Sequence, residues 1–185
     1  MSQKIVFMGT PEFSVPTLEL LVNSNHKVLA VYSQPASKAN RGQKIIPSSV
    51  EIFAKEHSLN LRTPINLDND EEYDFLKKLE PDIVVVIAYG KIIPKRFLDL
   101  AKHGFINVHA SLLPKWRGAA PIQRSIMNLD NETGVSIMKI TEDLDTGPAS
   151  NSSTIFIMLI PVSLSRFIID LCIGAAPLHF GSSEA

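Results

Sequence analysis

Short apolar runs alternate along the chain with longer segments that carry apolar residues on one helical face. The runs predict strands, because each is short and closed by glycine or polar residues. They lie at 4–9, 26–33, 82–90, 105–111 and 134–140. The segments with apolar residues on one face have the 3.6-residue period of helices. They lie at 15–22, 48–59, 70–81 and 120–127. Ser48 or Ser49 is the expected N-cap of the second helix.

The run 82–90 shows how these strands are arranged. It is almost continuously apolar and β-branched, with no polar alternation, which is typical of a parallel strand covered by helices on both faces. Strands and helices also alternate along the chain. We therefore predict an α/β fold with a doubly wound, mostly parallel sheet and helices on both faces. Ligands of such sheets bind at the carboxyl ends of the strands.

Composition places few limits on function. The chain has 185 residues, with 18 basic and 19 acidic side chains, so no overall field attracts nucleic acid or an anionic membrane. A polyanion site must therefore be local. The single cysteine, Cys172, excludes an internal disulfide, and the start of the sequence lacks the pattern of a signal peptide. We expect a cytoplasmic protein of about one domain.

Two loops at the predicted ligand edge could contact phosphate. The first follows Gly9, but Thr10, Pro11 and Glu12 occupy the turn where a dinucleotide-binding fingerprint needs further glycines, so a simple turn is the prediction. The second, from Gln34 to Pro47, is long for a connection in a compact domain. It holds Lys38, Arg41 and Lys44. Either it is a solvated connection or it contacts phosphate groups.

Asn107 and His109 are the strongest candidates for chemistry. They lie two residues apart in a predicted strand, so their side chains point to the same side. An amide donor and an imidazole suit a reaction in which an oxyanion develops while an amine loses a proton. A lone histidine near an apolar run can equally be a partly buried structural residue. Asp145, after the strand 134–140, could orient the imidazole from an adjacent strand end, or could simply cap a turn.

Four segments carry a resemblance to a known family. They are "VFMGTPEFSVPTLELL", "VVIAYGKIIP", "NVHASLLPKWRGAAPIQRSI" and "DLDTG". Together they resemble the methionyl-tRNA formyltransferases over residues 3–148. Asn-x-His with a later Asp-x-Gly is shared by the wider family of 10-formyltetrahydrofolate-dependent transferases and hydrolases. The "GTPEF" and "SLLPKWRGAAPIQ" loops narrow the resemblance to the tRNA enzymes, and disfavour a formyltransferase that acts on a small amino sugar.

The resemblance implies a Rossmann-like formyltransferase fold and a set of residue roles. Asn107, His109 and Asp145 match the catalytic positions. The segment Ser111, Leu112, Leu113 and Pro114 matches the tetrahydrofolate-binding segment. The loop that carries Lys38, Arg41 and Lys44 matches the insertion that contacts the acceptor arm of initiator tRNA. The implied co-substrate is 10-formyltetrahydrofolate, the implied partner is initiator methionyl-tRNA, and no metal is expected.

Two features leave alternatives open. Trp116 either packs in the core or contacts substrate, and Arg117 either contacts phosphate or stabilises a loop.

After Pro148 the sequence no longer resembles the family. We expect a catalytic domain at 1–148 and an atypical tail at 149–185. The tail derives from a shifted reading frame or a fragment, is disordered, or substitutes for the last strand of the family's sheet. A membrane anchor is disfavoured, since Pro161, Arg166 and Asp170 interrupt the tail. The competing function is a non-catalytic folate-binding remnant.

Overall fold

The computed structural model describes residues 2–39, 44–142, 147 and 155–156. The strands are β1 (Lys4–Gly9), β2 (Lys27–Tyr32), β3 (Ser37–Ala39), β4 (Lys44–Ile46), β5 (Leu61–Arg62), β6 (Ile83–Ile87), β7 (Phe105–His109), β8 (Gly134–Lys139) and β9 (Ile155–Phe156). The α-helices are α1 (Val15–Val22), α2 (Ser49–Glu56), α3 (Asp70–Leu79) and α4 (Pro121–Met127). Short 3-10 helices lie at Glu12–Ser14 and Lys95–Leu100.

The main sheet is mostly parallel, in the order β5-β2-β1-β6-β7-β8-β9. Strands β5, β2, β1, β6 and β7 are parallel, whereas β8 is antiparallel to β7 and β9 is antiparallel to β8. The chain builds outward from β1 through β2 to β5, and then returns to β6 on the other side of β1. The strand order therefore reverses between β1 and β6, and sheets of this type bind ligands at that point.

Helices cover both faces of the sheet, as the continuous apolar run of β6 predicts. On one face, Phe7, Val85 and Ile87 pack with residues of α1 and α2. On the other face, Met8 and Val84 pack with residues of α3 and of the 3-10 helix Lys95–Leu100. The predicted α/β fold with a doubly wound sheet is confirmed.

Local sequence signals explain where the helices begin. Ser48 is the N-cap of α2, and its hydroxyl accepts a hydrogen bond from the Glu51 amide over 2.9 Å, which decides between the two predicted serines. Asn69 caps α3 in the same way, accepting from the Glu72 amide over 2.9 Å. The first turn of α3 is acidic and its last turn is basic, as the helix dipole favours.

The pattern of apolar residues did not predict several short elements, among them three strands, β3, β4 and β5. Strands β3 and β4 form a separate two-stranded antiparallel sheet within the long loop that follows β2. Strand β5 has two residues and pairs with the end of β2. All three are too short to show a two-residue period, so only their pairing defines them.

Candidate active site

Asn107 and His109 lie near the carboxyl end of β7 and point to the same face of the sheet. Phe105 shares that face by alternation, and it packs in the cluster covered by α3. Val108, between the two polar residues, packs in the opposite cluster. His109 is buried and Asn107 is half-buried. The strand therefore presents an amide and an imidazole side by side, as their spacing predicts.

The His109 imidazole contacts the main chain of the loop that follows β7. Its Nε2 lies 3.0 Å from the carbonyl oxygen of Trp116. A carbonyl only accepts hydrogen bonds, so Nε2 donates and must carry a hydrogen in this contact. In the neutral ring Nδ1 then carries the lone pair, and in the charged ring Nδ1–H is a second donor.

The segment Ser111 to Pro114 forms a tight turn directly after His109. The buried Ser111 hydroxyl donates to the Lys115 carbonyl over 2.6 Å, and the Ser111 amide donates to the His109 carbonyl over 2.9 Å. The peptide bond between Leu113 and Pro114 is cis. Leu112 and Leu113 are half-buried, whereas Pro114 is exposed. The turn therefore holds its position beside His109 through its own polar atoms.

Ser136 joins this turn to β8, and no local sequence pattern predicts that role. Ser136 pairs with His109 across the antiparallel strands. Its hydroxyl donates to the Ser111 carbonyl over 2.7 Å and accepts from the Leu113 amide over 3.0 Å. The register of β7 and β8 creates this contact, and register cannot be read from an isolated strand.

Asp130 holds the other end of the same loop. Its side chain is 4% exposed, and Oδ1 lies 2.7 Å from Lys115 Nζ. The Trp116 indole Nε1 donates to Oδ2 over 2.5 Å, and the Asn128 amide donates to Oδ1 over 2.6 Å. Hydrogen bonds from Lys115, then from Asn128 and Trp116, lower the pKa of the Asp130 carboxyl to about 2. Trp116 is half-buried, and its indole nitrogen is bound within the protein.

A second polar cluster bridges the point where the strand order reverses. The Thr10 hydroxyl, after β1, donates to the Tyr89 carbonyl, after β6, over 2.8 Å. The Gln34 side-chain amide donates to the carbonyls of Tyr89 and Gly90 over 3.2 and 3.0 Å. The Gln34 main-chain amide donates to the Thr10 hydroxyl over 3.3 Å. The start of the long loop is therefore bound to the carboxyl ends of both central strands.

Asp145, the third predicted catalytic residue, follows β8 along the chain. The sequence predicts that this carboxylate reaches His109 from an adjacent strand end. Because β8 is antiparallel, its beginning lies at that edge, and its last residue, Lys139, pairs with Ile106. Asp145 itself lies outside the described residues, and its role stays a prediction from the resemblance.

The basic residues of the long loop are only partly described. Lys38 lies in β3 opposite Ile45, and Lys44 lies in β4 opposite Ala39. Arg41, between the two strands, lies outside the described residues, as do the side chains of Lys38 and Lys44. The backbone positions of Lys38 and Lys44 place both in one hairpin. This hairpin follows Gln34 at the ligand edge of the sheet.

Comparison with known proteins identifies the family. Residues 3–159 match the family described as "Formyl transferase". The chain belongs to the formyl transferase family. Over 152 residues it is 62% identical to methionyl-tRNA formyltransferase of Pelagibacter ubique, an overlap that covers 82% of this chain and 49% of that protein. It is 54% identical to the protein of the same name from Methylococcus capsulatus, over 78% of this chain and 47% of that protein.

Both relatives are about twice as long as the matched region, so this formyl transferase chain spans about half the length of the curated relatives it matches. Solved structures support the fold. Phosphoribosylglycinamide formyltransferase from Streptococcus pneumoniae superimposes with a TM-score of 0.69 at 17% identity, covering 95% of this chain and 98% of that one. The enzyme of the same name from Brucella melitensis gives 0.67 at 16% identity, with both chains fully covered.

The described part of this formyl transferase contains neither a cluster of metal-ligating side chains nor a membrane-spanning helix. There, histidine, cysteine and acidic side chains do not gather in groups of three or more that could hold a metal ion. None of its described helices combines the length and apolar character needed to cross a membrane.

Proposed function

We propose that the chain transfers a formyl group from 10-formyltetrahydrofolate to the α-amino group of methionyl initiator tRNA in the cytoplasm. The observation that carries the proposal is the pair Asn107 and His109 at the carboxyl edge of β7, in a chain of the formyl transferase family. The name of the relative that is 62% identical supports the choice of acceptor. Such transfer would serve translation initiation.

The reaction sets clear demands on these two side chains. The acceptor amine attacks the formyl carbon, and a tetrahedral intermediate with a negative oxygen forms. The bond from N10 to the formyl carbon then breaks, while the amine loses a proton and N10 gains one. Donors aimed at the negative oxygen stabilise the transition state, and removing one typically costs about 10²–10³-fold in rate. In this proposal the Asn107 amide and the protonated His109 ring, through Nδ1–H, supply those donors.

The His109 contact with Trp116 assigns the ring nitrogens. Since Nε2 donates to the carbonyl of Trp116, Nδ1 is the nitrogen that faces the reacting atoms in this proposal. Asp145 would lie beside the imidazole and assist proton transfer between the amine and N10. Ser111, Leu112, Leu113 and Pro114 would contact the folate, and Lys38, Arg41 and Lys44 would contact the tRNA acceptor arm.

The competing function is a chain that binds folate without transferring the formyl group. Incubating the purified chain with 10-formyltetrahydrofolate and charged initiator tRNA, and measuring formyl-methionyl-tRNA alongside folate binding, separates the two. Transfer supports the first function, and folate binding without transfer supports the second.

The catalytic assignment has its own test. His109→Ala and Asp145→Asn should each lower kcat far more than folate affinity, because both act on the reacting atoms. The double variant should lose less than the product of the two single losses, since the two residues act as one unit. Single-turnover transfer and folate titration measure both quantities. Losses that multiply, or near-normal turnover in His109→Ala, would contradict the assignment.

A further inference from the structure

We propose that Asp130 is a positioning residue that fixes the orientation of the His109 ring through the main chain of Trp116. The catalytic role of His109 in this proposal rests on the proposed function, whereas the effect of Asp130 on the ring orientation does not depend on that function. Asp130 lies in the connection between α4 and β8, 21 residues along the chain from His109. It makes no direct contact with substrate in this proposal.

The first step is the conformation of Trp116. Its φ of +58° lies in the left-handed region, which is uncommon for a bulky residue. Such a conformation persists only where surrounding contacts hold it. Asp130 provides those contacts, since its two oxygens bind the indole nitrogen of Trp116 and the ammonium group of the preceding Lys115.

The second step is the anchoring of Asp130 itself. Its main-chain amide donates to the Ser125 carbonyl near the end of α4 over 3.0 Å, and the Asn128 side chain binds Oδ1. On the other side of the loop, Ser111 binds the Lys115 carbonyl over 2.6 Å. Residues 111–116 are therefore held at both ends.

The third step connects this loop to the reaction. The carbonyl that accepts from His109 Nε2 belongs to Trp116, the residue whose backbone conformation Asp130 maintains. When one nitrogen of a catalytic imidazole donates to a fixed acceptor, that hydrogen bond selects the tautomer and the direction of the ring. Loss of Asp130 should let the Trp116 peptide rotate, so that the ring loses its fixed acceptor. Mutation of such supporting residues typically costs about 10–100-fold in activity.

The test combines turnover with a measurement that does not depend on activity. In Asp130→Asn, kcat for formyl transfer should fall about 10–100-fold with KM values for folate and tRNA nearly unchanged. Long-range ¹H–¹⁵N NMR of the imidazoles, with His109 assigned by His109→Gln, should show the Nε2–H tautomer in the unsubstituted neutral protein. The variant should show a mixture of tautomers. Asp68→Asn, which removes an exposed carboxylate bound to Arg96, is the matched control and should change neither quantity.

A second variant keeps the proposal testable if Asp130→Asn fails to fold. Trp116→Phe removes the indole donor and part of the ring but leaves the contact between Asp130 and Lys115 in place, so it should shift the tautomer in the same direction by a smaller amount. The proposal would be overturned if every folded variant of the two kept a single Nε2–H tautomer. It would also be overturned if Asp130→Asn changed only the KM values and left kcat unchanged. Absence of transfer by the unsubstituted chain would count against the proposed function, while the NMR result would still decide the role of Asp130.

Discussion

Gly90 occupies a position where glycine is required for two separable reasons. Its φ is +80°, and an added Cβ would lie 2.2 Å from the side-chain nitrogen of Gln34. The first reason is backbone strain, which costs an L-residue roughly 1–2 kcal/mol. The second is displacement of Gln34, whose amide binds the carbonyls of Tyr89 and Gly90. The far end of a flexible side chain can move, so the second cost is the loss of those hydrogen bonds.

A pair of glycine variants separates the two costs. Gly118 has a similar φ of +86°, but nothing lies within 4 Å of its Cβ position. Gly118→Ala should therefore lose about 1–2 kcal/mol from strain alone. Gly90→Ala should lose about 0.5–1.5 kcal/mol more for each hydrogen bond of Gln34 that breaks. Urea unfolding measures both free energies, and equal losses would mean that the Gln34 contacts contribute nothing.

The Asp130 carboxyl, again a single residue, predicts that the free energy of unfolding depends on pH. Its folded-state pKa lies near 2, below the ordinary value of 3.8. A carboxyl with a depressed folded pKa contributes stability that is present above the unfolded pKa and is lost as pH falls through the folded pKa. The stability difference between the unsubstituted protein and Asp130→Asn should be largest above pH 4 and should shrink toward pH 2. A difference that stays constant from pH 6 to pH 2, measured by urea unfolding, would contradict the ion-pair account.

At the scale of elements, the cap of α2 gives a sharp comparison between adjacent serines. Ser48 accepts from the Glu51 amide and also lies 2.5 Å from the Ser33 hydroxyl, whereas Ser49 is the first residue of the helix. Ser48→Ala should cost about 0.5–2 kcal/mol, because it leaves a helix amide without its acceptor. Ser49→Ala should cost little. Comparable losses in thermal unfolding of the two variants would argue against Ser48 as the cap.

The elements differ in how far the sequence predicts them. The buried strand β6 and the facing pair on β7 follow from apolar runs and two-residue alternation, which are local properties. The direction of β8 does not. The connection from β7 to β8 spans residues 110–133 and contains α4, so it is long enough for either a parallel crossover or an antiparallel return. Only packing decides between them.

The contacts around His109 were unpredictable for a related reason. Ser136 reaches the Ser111 turn through antiparallel register, and Asp130 reaches Lys115 and Trp116 across a loop. Neither spacing matches a recurring local motif. A serine in a strand and an aspartate in a turn are common without any such role. The sequence therefore indicates which residues could do chemistry, whereas the tertiary structure shows what holds them.

At the scale of the whole molecule, the question is whether the hairpin of β3 and β4, with its basic residues, lets the ligand edge of the sheet bind a polyanion. The overall charge of −1 attracts no nucleic acid, so any tRNA affinity must come from local cations. Lys38 and Lys44 lie in the hairpin that follows Gln34, and Gln34 binds the carboxyl end of β6. In the proposed function this hairpin binds phosphate groups beside the reaction centre.

Replacing Lys38, Arg41 and Lys44 by alanine should weaken tRNA binding and reduce its salt dependence. For each phosphate group that the variant no longer neutralises, the slope of log affinity against log salt concentration should fall by roughly 0.7–0.9, because fewer counterions are released. Folate binding should be unchanged. The matched control replaces Lys27, Lys78 and Lys102, which are exposed and lie near the amino ends of the strands or the end of α3. Both triple variants change the net charge equally, so an equal reduction of the slope would show that overall charge, and not the hairpin, attracts tRNA.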